Sequence, residues 1–187
     1  GTVDVEDLLT EEELQNVICQ TEKYGANFKM DFSAKAKDKP VVYQINCTYY
    51  SALGEDDQAY LLSRAIQFFA PGIPQVYYMG LLAGENDYEL MRRTDFPRNI
   101  SRHNYDAGEI EEAVKKPVVQ KLCKLMRLRN EFPAFDGEVA VSDLPDHLLE
   151  ITRESNGVKA VLWADLATKE FKIRCSGLDN GNDYDWE

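Results

Sequence analysis

Two arginines stand close together in Phe96-Pro97-Arg98-Asn99-Ile100-Ser101-Arg102-His103. A guanidinium is a rigid, permanently charged fork of N–H donors, suited to paired hydroxyls or a carboxylate. On a loop such a group either grips a polar substrate or forms a surface ion pair of little energetic weight, and the run itself leaves both open. The acids nearby are Glu85, Asp87 and Asp95. Two carboxyls facing one bond can serve as acid and base, but abundance does not make a pair, and the expected state of these three is solvated loop charge. His103 and His147 fall in different parts of the chain, which argues against a metal held by histidines. Cys19, Cys47, Cys123 and Cys175 are scattered, match no zinc spacing and read as buried reduced thiols. Leu82-Ala83-Gly84-Glu85-Asn86 lacks the spacing of a phosphate-cradling glycine loop, and no nucleophile elbow occurs.

The elements that must carry these residues follow from periodicity. Thr2-Val3-Asp4-Val5 reads as a strand or loop. Thr10 with Glu13 forms a capping box that opens a helix whose apolar face is Leu14, Val17 and Ile18. The polar, lysine-rich stretch from Gly25 to Pro40 reads as a long loop, and Val41–Ile45 as a short extended segment. Between Asp56 and Phe69, Tyr60, Leu61, Leu62, Ala65, Ile66 and Phe69 recur at helical spacing until Pro71-Gly72 stops the helix. Ile73–Gly80 is β-branched and aromatic, which predicts a strand buried on both faces, as in a parallel sheet. Leu81–Tyr105 reads as a long irregular loop of the kind that carries sites in barrel enzymes. A helix runs from about Glu109 to Arg129, restarted at Pro117. Beyond Gly137, Glu138–Val141, His147–Arg153, Val158–Ala164 and Glu170–Cys175 read as four strands, the middle two joined by the hairpin turn Asn156-Gly157. The acidic, glycine-rich tail from Gly177 reads as frayed.

The 187 residues carry 44% hydrophobic and 29% charged side chains, which describes a folded chain with a core. A formal net charge of −12 disfavours nucleic acid and anionic membrane surfaces, since both demand a basic face. No signal segment or membrane-length apolar run is present, and a cytoplasmic location is expected.

Longer blocks carry a resemblance. Tyr43-Gln44-Ile45-Asn46-Cys47-Thr48-Tyr49-Tyr50-Ser51-Ala52-Leu53-Gly54 and Phe68-Phe69-Ala70-Pro71-Gly72-Ile73-Pro74-Gln75-Val76-Tyr77-Tyr78 resemble sucrose phosphorylases, which belong to the α-amylase-like glycoside hydrolases and transferases. Leu81–Asp87, Arg98–His103, Arg129-Asn130-Glu131 and Ala134-Phe135-Asp136-Gly137 extend the likeness in the same order. The fold it implies is α/β: residues 1–133 as the C-terminal part of a (β/α)8 TIM barrel, from the loop after strand seven through the last helix, and residues 134–187 as a small antiparallel β-domain. Ile73–Gly80 would be barrel strand eight.

The resemblance implies transfer of glucose from sucrose to phosphate with retention, through a covalent glucosyl-enzyme and a second carboxylic acid that protonates the departing fructose. The nucleophilic carboxylate, that acid and a third acid that steadies the transition state in the family all precede the matched region, so no catalytic residue is assigned here. Arg98 matches the arginine that holds the glucosyl unit. Gln44, beside Tyr43, matches a glutamine in the loop on the acceptor or leaving-group side; the other reading of Gln44 is a strand-end amide that satisfies backbone groups. The implied ligands are a small sugar and inorganic phosphate as co-substrate, with no cofactor and no metal, and the implied partner is the N-terminal part of the barrel. Pro97 replaces a usual glycine, and Val41 replaces an aspartate that contacts fructose in some members. Phosphorylases of sucrose 6-phosphate, glucosylglycerol or glucosylglycerate share the framework. A hydrolase using water and a non-catalytic carbohydrate-binding remnant are the rival readings.

Overall fold

The computed structural model describes residues 2–5, 7–32, 41–177 and 184–186. In chain order the helices are α1 (Glu11–Lys23), α2 (Tyr49–Ala52), α3 (Asp57–Phe69), α4 (Tyr78–Leu81), α5 (Tyr88–Thr94), α6 (Ala107–Ala113) and α7 (Pro117–Glu131). The strands are β1 (Asn27–Asp31), β2 (Val41–Asn46), β3 (Glu138–Val141), β4 (Leu148–Ser155), β5 (Val158–Asp165), β6 (Phe171–Ser176) and β7 (Tyr184–Trp186). The chain divides into two compact units, one made of residues 1–56 and 77–113, the other of residues 57–76 and 114–187.

The first unit is built on α1 and the antiparallel hairpin β1–β2. The capping box of α1 is formed as expected: Glu13 N–H donates to Thr10 Oγ1 at 3.2 Å, and Thr10 N–H donates to Glu13 Oε2 at 2.8 Å. Thr2–Val5 is a 3-10 turn rather than a strand. Its Thr2 hydroxyl lies 2.6 Å from the Val42 carbonyl, so side-chain anchoring to β2 replaces strand pairing. The loop expected from Gly25 to Pro40 contains β1, because β2 supplies a ladder to a segment whose own composition favours none. Residues 33–40 of that loop lie outside the described residues.

The second unit packs α3 and α7 against each other and α3 on a five-stranded antiparallel meander, β3-β4-β5-β6-β7. Leu61, Leu62, Phe68 and Phe69 of α3 and Val118, Val119, Leu122 and Leu125 of α7 are buried. Phe69 meets Phe135 edge-on, with centroids 5.0 Å apart. Ala160, Leu162 and Ala164 alternate inward along β5, facing the same core as Ile151 and Ile173. The turn Asn156-Gly157 has φ of 51° and 82°, the doubly positive geometry that an Asn-Gly hairpin adopts. The restart at Pro117 is present, with α6 ending at Ala113. Within the tail expected to fray, Tyr184–Trp186 pairs with β6; residues 178–183 and 187 lie outside the described residues.

Two expectations are corrected. Ile73–Gly80 is not a buried strand: Ile73 is 93% exposed, residues 73–77 form no ladder, and the run ends in α4. A parallel strand exists only through neighbours that accept and donate its ladder bonds, and no described strand pairs with this one. Leu81–Tyr105 is not irregular throughout, since α5 and a 3-10 helix, Pro97–Ser101, occupy its middle. Asp87 caps the first, and Pro97 sits at the start of the second, where its missing N–H costs nothing. The architecture observed is thus a mixed helix–sheet chain with two small antiparallel sheets.

Candidate functional site

The residues singled out for substrate contact meet in the first unit. Strand β2 pairs with β1 in the register Lys29↔Gln44 and then Met30↔Val42, which leaves Tyr43 as the extra residue of a β-bulge. A bulge re-aims a side chain that regular alternation would send to the opposite face. Tyr43 is 38% exposed, with the Lys29 ammonium 5.3 Å from its ring centroid. Gln44 follows directly, and its Oε1 accepts a hydrogen bond from Arg98 Nη2 at 2.8 Å. Arg98 and Gln44, 54 residues apart in the chain, are thus joined, with Tyr43 the chain neighbour of Gln44 on β2.

Arg98 is placed by its 3-10 helix. Ile100 is completely buried, and its carbonyl accepts the Asp87 N–H at 2.7 Å. Asn99 Nδ2 donates to Thr94 Oγ1 at 2.9 Å, and Asn27 Nδ2 donates to the Pro97 carbonyl at 3.1 Å. The backbone on both sides of Arg98 is fixed while its guanidinium reaches outward. Arg102, the other arginine weighed for this role, is exposed and makes no bond to Gln44.

A second polar group was not visible in the spacing of the sequence. Asp87 is not the solvated loop acid expected. One carboxylate oxygen accepts the Leu90 N–H at 2.7 Å, and the other stands 2.7 Å from His103 Nδ1. His103 Nε2 lies 3.1 Å from Glu109 Oε1, and Glu109 exchanges backbone–side-chain bonds with Asp106. Tyr105 stacks edge-on against His103, and Tyr78 donates to the His103 carbonyl at 2.9 Å. Glu85 and Asp95 are exposed, as expected of loop acids. Only the N-cap position of Asp87 before α5 offered a signal of its role; a contact between residues 87 and 103 leaves no pattern in the chain.

The bond to Asp87 raises the His103 pKa; burial opposes this, and Glu109 adds to it. For Asp87, burial pushes the carboxyl up, but the Leu90 N–H and His103 outweigh burial and hold it below its ordinary value. The stabilisation from His103 is then fully present below its ordinary 6.5 and is lost as pH rises through the raised value. The stabilisation from Asp87 is present above its ordinary 3.8 and is lost as pH falls through the lowered value. The segment carrying Arg98 should be most firmly held between those limits. An NMR titration of His103 is expected to give a midpoint above 6.5 that falls on Asp87→Asn; a midpoint unmoved by that substitution would contradict the pairing.

The described residues hold no group of three His, Cys, Asp or Glu side chains arranged for a metal ion, and no helix among them is long and apolar enough to cross a membrane. No family model matches the chain. It is 47% identical over 172 residues to a sucrose 6(F)-phosphate phosphorylase of Thermoanaerobacterium thermosaccharolyticum, covering 91% of this chain and 35% of that protein. It is 44% identical over 181 residues to a sucrose phosphorylase of Streptococcus mutans, covering 96% of this chain and 38% of that protein. A crystal structure of sucrose 6F-phosphate phosphorylase from Thermoanaerobacter thermosaccharolyticum matches it with a TM-score of 0.92 at 44% identity, over 97% of this chain and 37% of that one. The chain spans little more than a third of the length of these relatives. With similarity of this degree over nearly all its residues, the chain belongs to the sucrose phosphorylase family, as a C-terminal part.

Proposed function

We propose that the chain supplies the sugar-contacting loops of a glucosyl-transferring phosphorylase, with sucrose as donor and inorganic phosphate as acceptor. The observation that carries this is the Arg98–Gln44 bond of 2.8 Å beside the bulged Tyr43. It gathers a charged donor fork, an amide and an aromatic ring, a set suited to hydroxyls and to the face of a sugar ring. The acids that break and remake the glycosidic bond lie in the rest of the protein, and the chain alone turns over nothing.

In the reaction proposed, a carboxylate of that other part displaces fructose from the anomeric carbon, and a carboxylic acid protonates the departing oxygen. Phosphate then attacks the glucosyl ester to give glucose 1-phosphate with retained configuration. Arg98 and Gln44 hold the sugar through these steps, and no metal or cofactor takes part. A second reading, sucrose 6-phosphate as donor, is favoured by the name of the relative at 47% identity and by Val41, where sucrose-acting members can carry a fructose-contacting aspartate. Incubating the whole protein with phosphate and either donor, followed by phosphorus NMR, is expected to show glucose 1-phosphate accumulating. Free glucose as the main product would replace the phosphorylase reading with that of a hydrolase. No product from either donor would favour the non-catalytic sugar-binding reading.

A further inference from the structure

We propose that Asn27 is a positioning residue that fixes where Arg98 stands relative to Gln44 and Tyr43, an inference that rests on the reading of Arg98 as a sugar contact. Asn27 opens β1 and joins the hairpin to the 3-10 helix. Its Nδ2 donates to the Pro97 carbonyl at 3.1 Å, and its Oδ1 accepts from Asn46 Nδ2 at 2.9 Å. Met91 Sδ also lies 3.0 Å from Asn27 Nδ2. The polarity of this relay is determined. Only a donor can approach the Pro97 carbonyl, so the amide oxygen of Asn27 must face Asn46, which in turn must donate. Asn46 is 5% exposed, a burial at which an amide without partners is costly.

The carbonyl held by Asn27 belongs to the peptide unit whose nitrogen is that of Arg98, so the grip falls on the planar unit that ends at the Arg98 Cα. Asn46 lies two residues beyond Gln44 on β2. A single side chain therefore links the backbone that carries Arg98 to the side chain of Asn46, on the strand that carries Gln44. An exposed arginine has many rotamers, and a fixed backbone reduces the ordering needed when a sugar arrives. Asn27 touches no reacting atom; its effect passes through Arg98.

A double-mutant cycle in the whole protein tests this, using sucrose or sucrose 6-phosphate, whichever turns over, with inorganic phosphate. Asn27→Asp keeps shape and the acceptor to Asn46 but sets an oxygen against the Pro97 carbonyl. It is expected to lower kcat/KM about 10-fold with the melting midpoint little changed. In an Arg98→Ala background the same change is expected to cost less than about twofold, because its target is gone. If Asn27→Asp does not fold, Asn27→Ser removes the reach to Pro97 without adding charge and completes the same cycle. Equal losses in both backgrounds, or no loss in the first, overturn the proposal while leaving the sugar-contact reading intact. An Arg98→Ala variant with full activity overturns both.

Discussion

Replacing Arg98 with alanine in the whole protein is expected to lower kcat/KM for glucosyl transfer by about 100-fold or more, with little change in melting midpoint. A hydrogen bond from a charged donor to a desolvated partner is worth about 1.5–3 kcal/mol, and the guanidinium fork can offer two. Together these exceed the roughly 2.7 kcal/mol that corresponds to a hundredfold. The folded chain itself depends little on this side chain, which is exposed and bonded to the Gln44 amide. Arg98→Lys keeps the charge but replaces the planar fork with a point donor, so only part of the loss should return. Steady-state kinetics beside a melting curve separate the effects. Wild-type kcat/KM in Arg98→Ala would reduce the Arg98–Gln44 bond to a surface contact.

The second large effect belongs to the other unit. Gly137→Ala is expected to destabilise the β-sheet unit by about 3 kcal/mol or more. The backbone angles at Gly137, φ −109° and ψ −154°, suit any residue. What is missing is space: a Cβ there would fall on the Glu154 carbonyl and the Ser155 Cα, which are backbone and cannot turn aside. Opening the gap would part β3 from β4 at Glu138↔Glu154 and strain the bond from Arg153 Nη2 to the Gly137 carbonyl. Arg153 is 5% exposed and also serves the Phe135 carbonyl, so little else could take up its charge. Denaturant unfolding followed through Trp163 on β5 reads this directly. An unchanged midpoint would mean that the β3–β4 junction yields more freely than its geometry implies.

Much of the fold was legible because local chemistry and final structure agree. Thr10 and Glu13 announce α1, Pro117 the start of α7, and Asn156-Gly157 the turn between β4 and β5. Each is decided within a few residues by capping or backbone conformation. The misreadings fall where a distant partner decides. Asn27–Asp31 lacks strand composition and becomes β1 only because β2 lies beside it. Ile73–Tyr77 has strand composition, yet it pairs with no described strand. At the candidate site, resemblance singled out Arg98, Gln44 and Tyr43, but neither the bond across 54 residues nor the bulge at Tyr43 leaves a trace in composition. The Asp87–His103 pair was hidden for the same reason, and the N-cap signal at Asp87 was masked by the abundance of acids around it.

In the function proposed, Arg98 holds the glucosyl unit, and Gln44 and Tyr43 line the acceptor or leaving-group side. A crystal structure of the whole protein with sucrose bound to a variant lacking its nucleophilic carboxylate tests it most directly. A guanidinium nitrogen of Arg98 is expected within about 3 Å of a sugar oxygen, with Gln44 and Tyr43 lining the same pocket. Sucrose bound with Arg98 turned to solvent, or seated in a pocket without Gln44 and Tyr43, would contradict it.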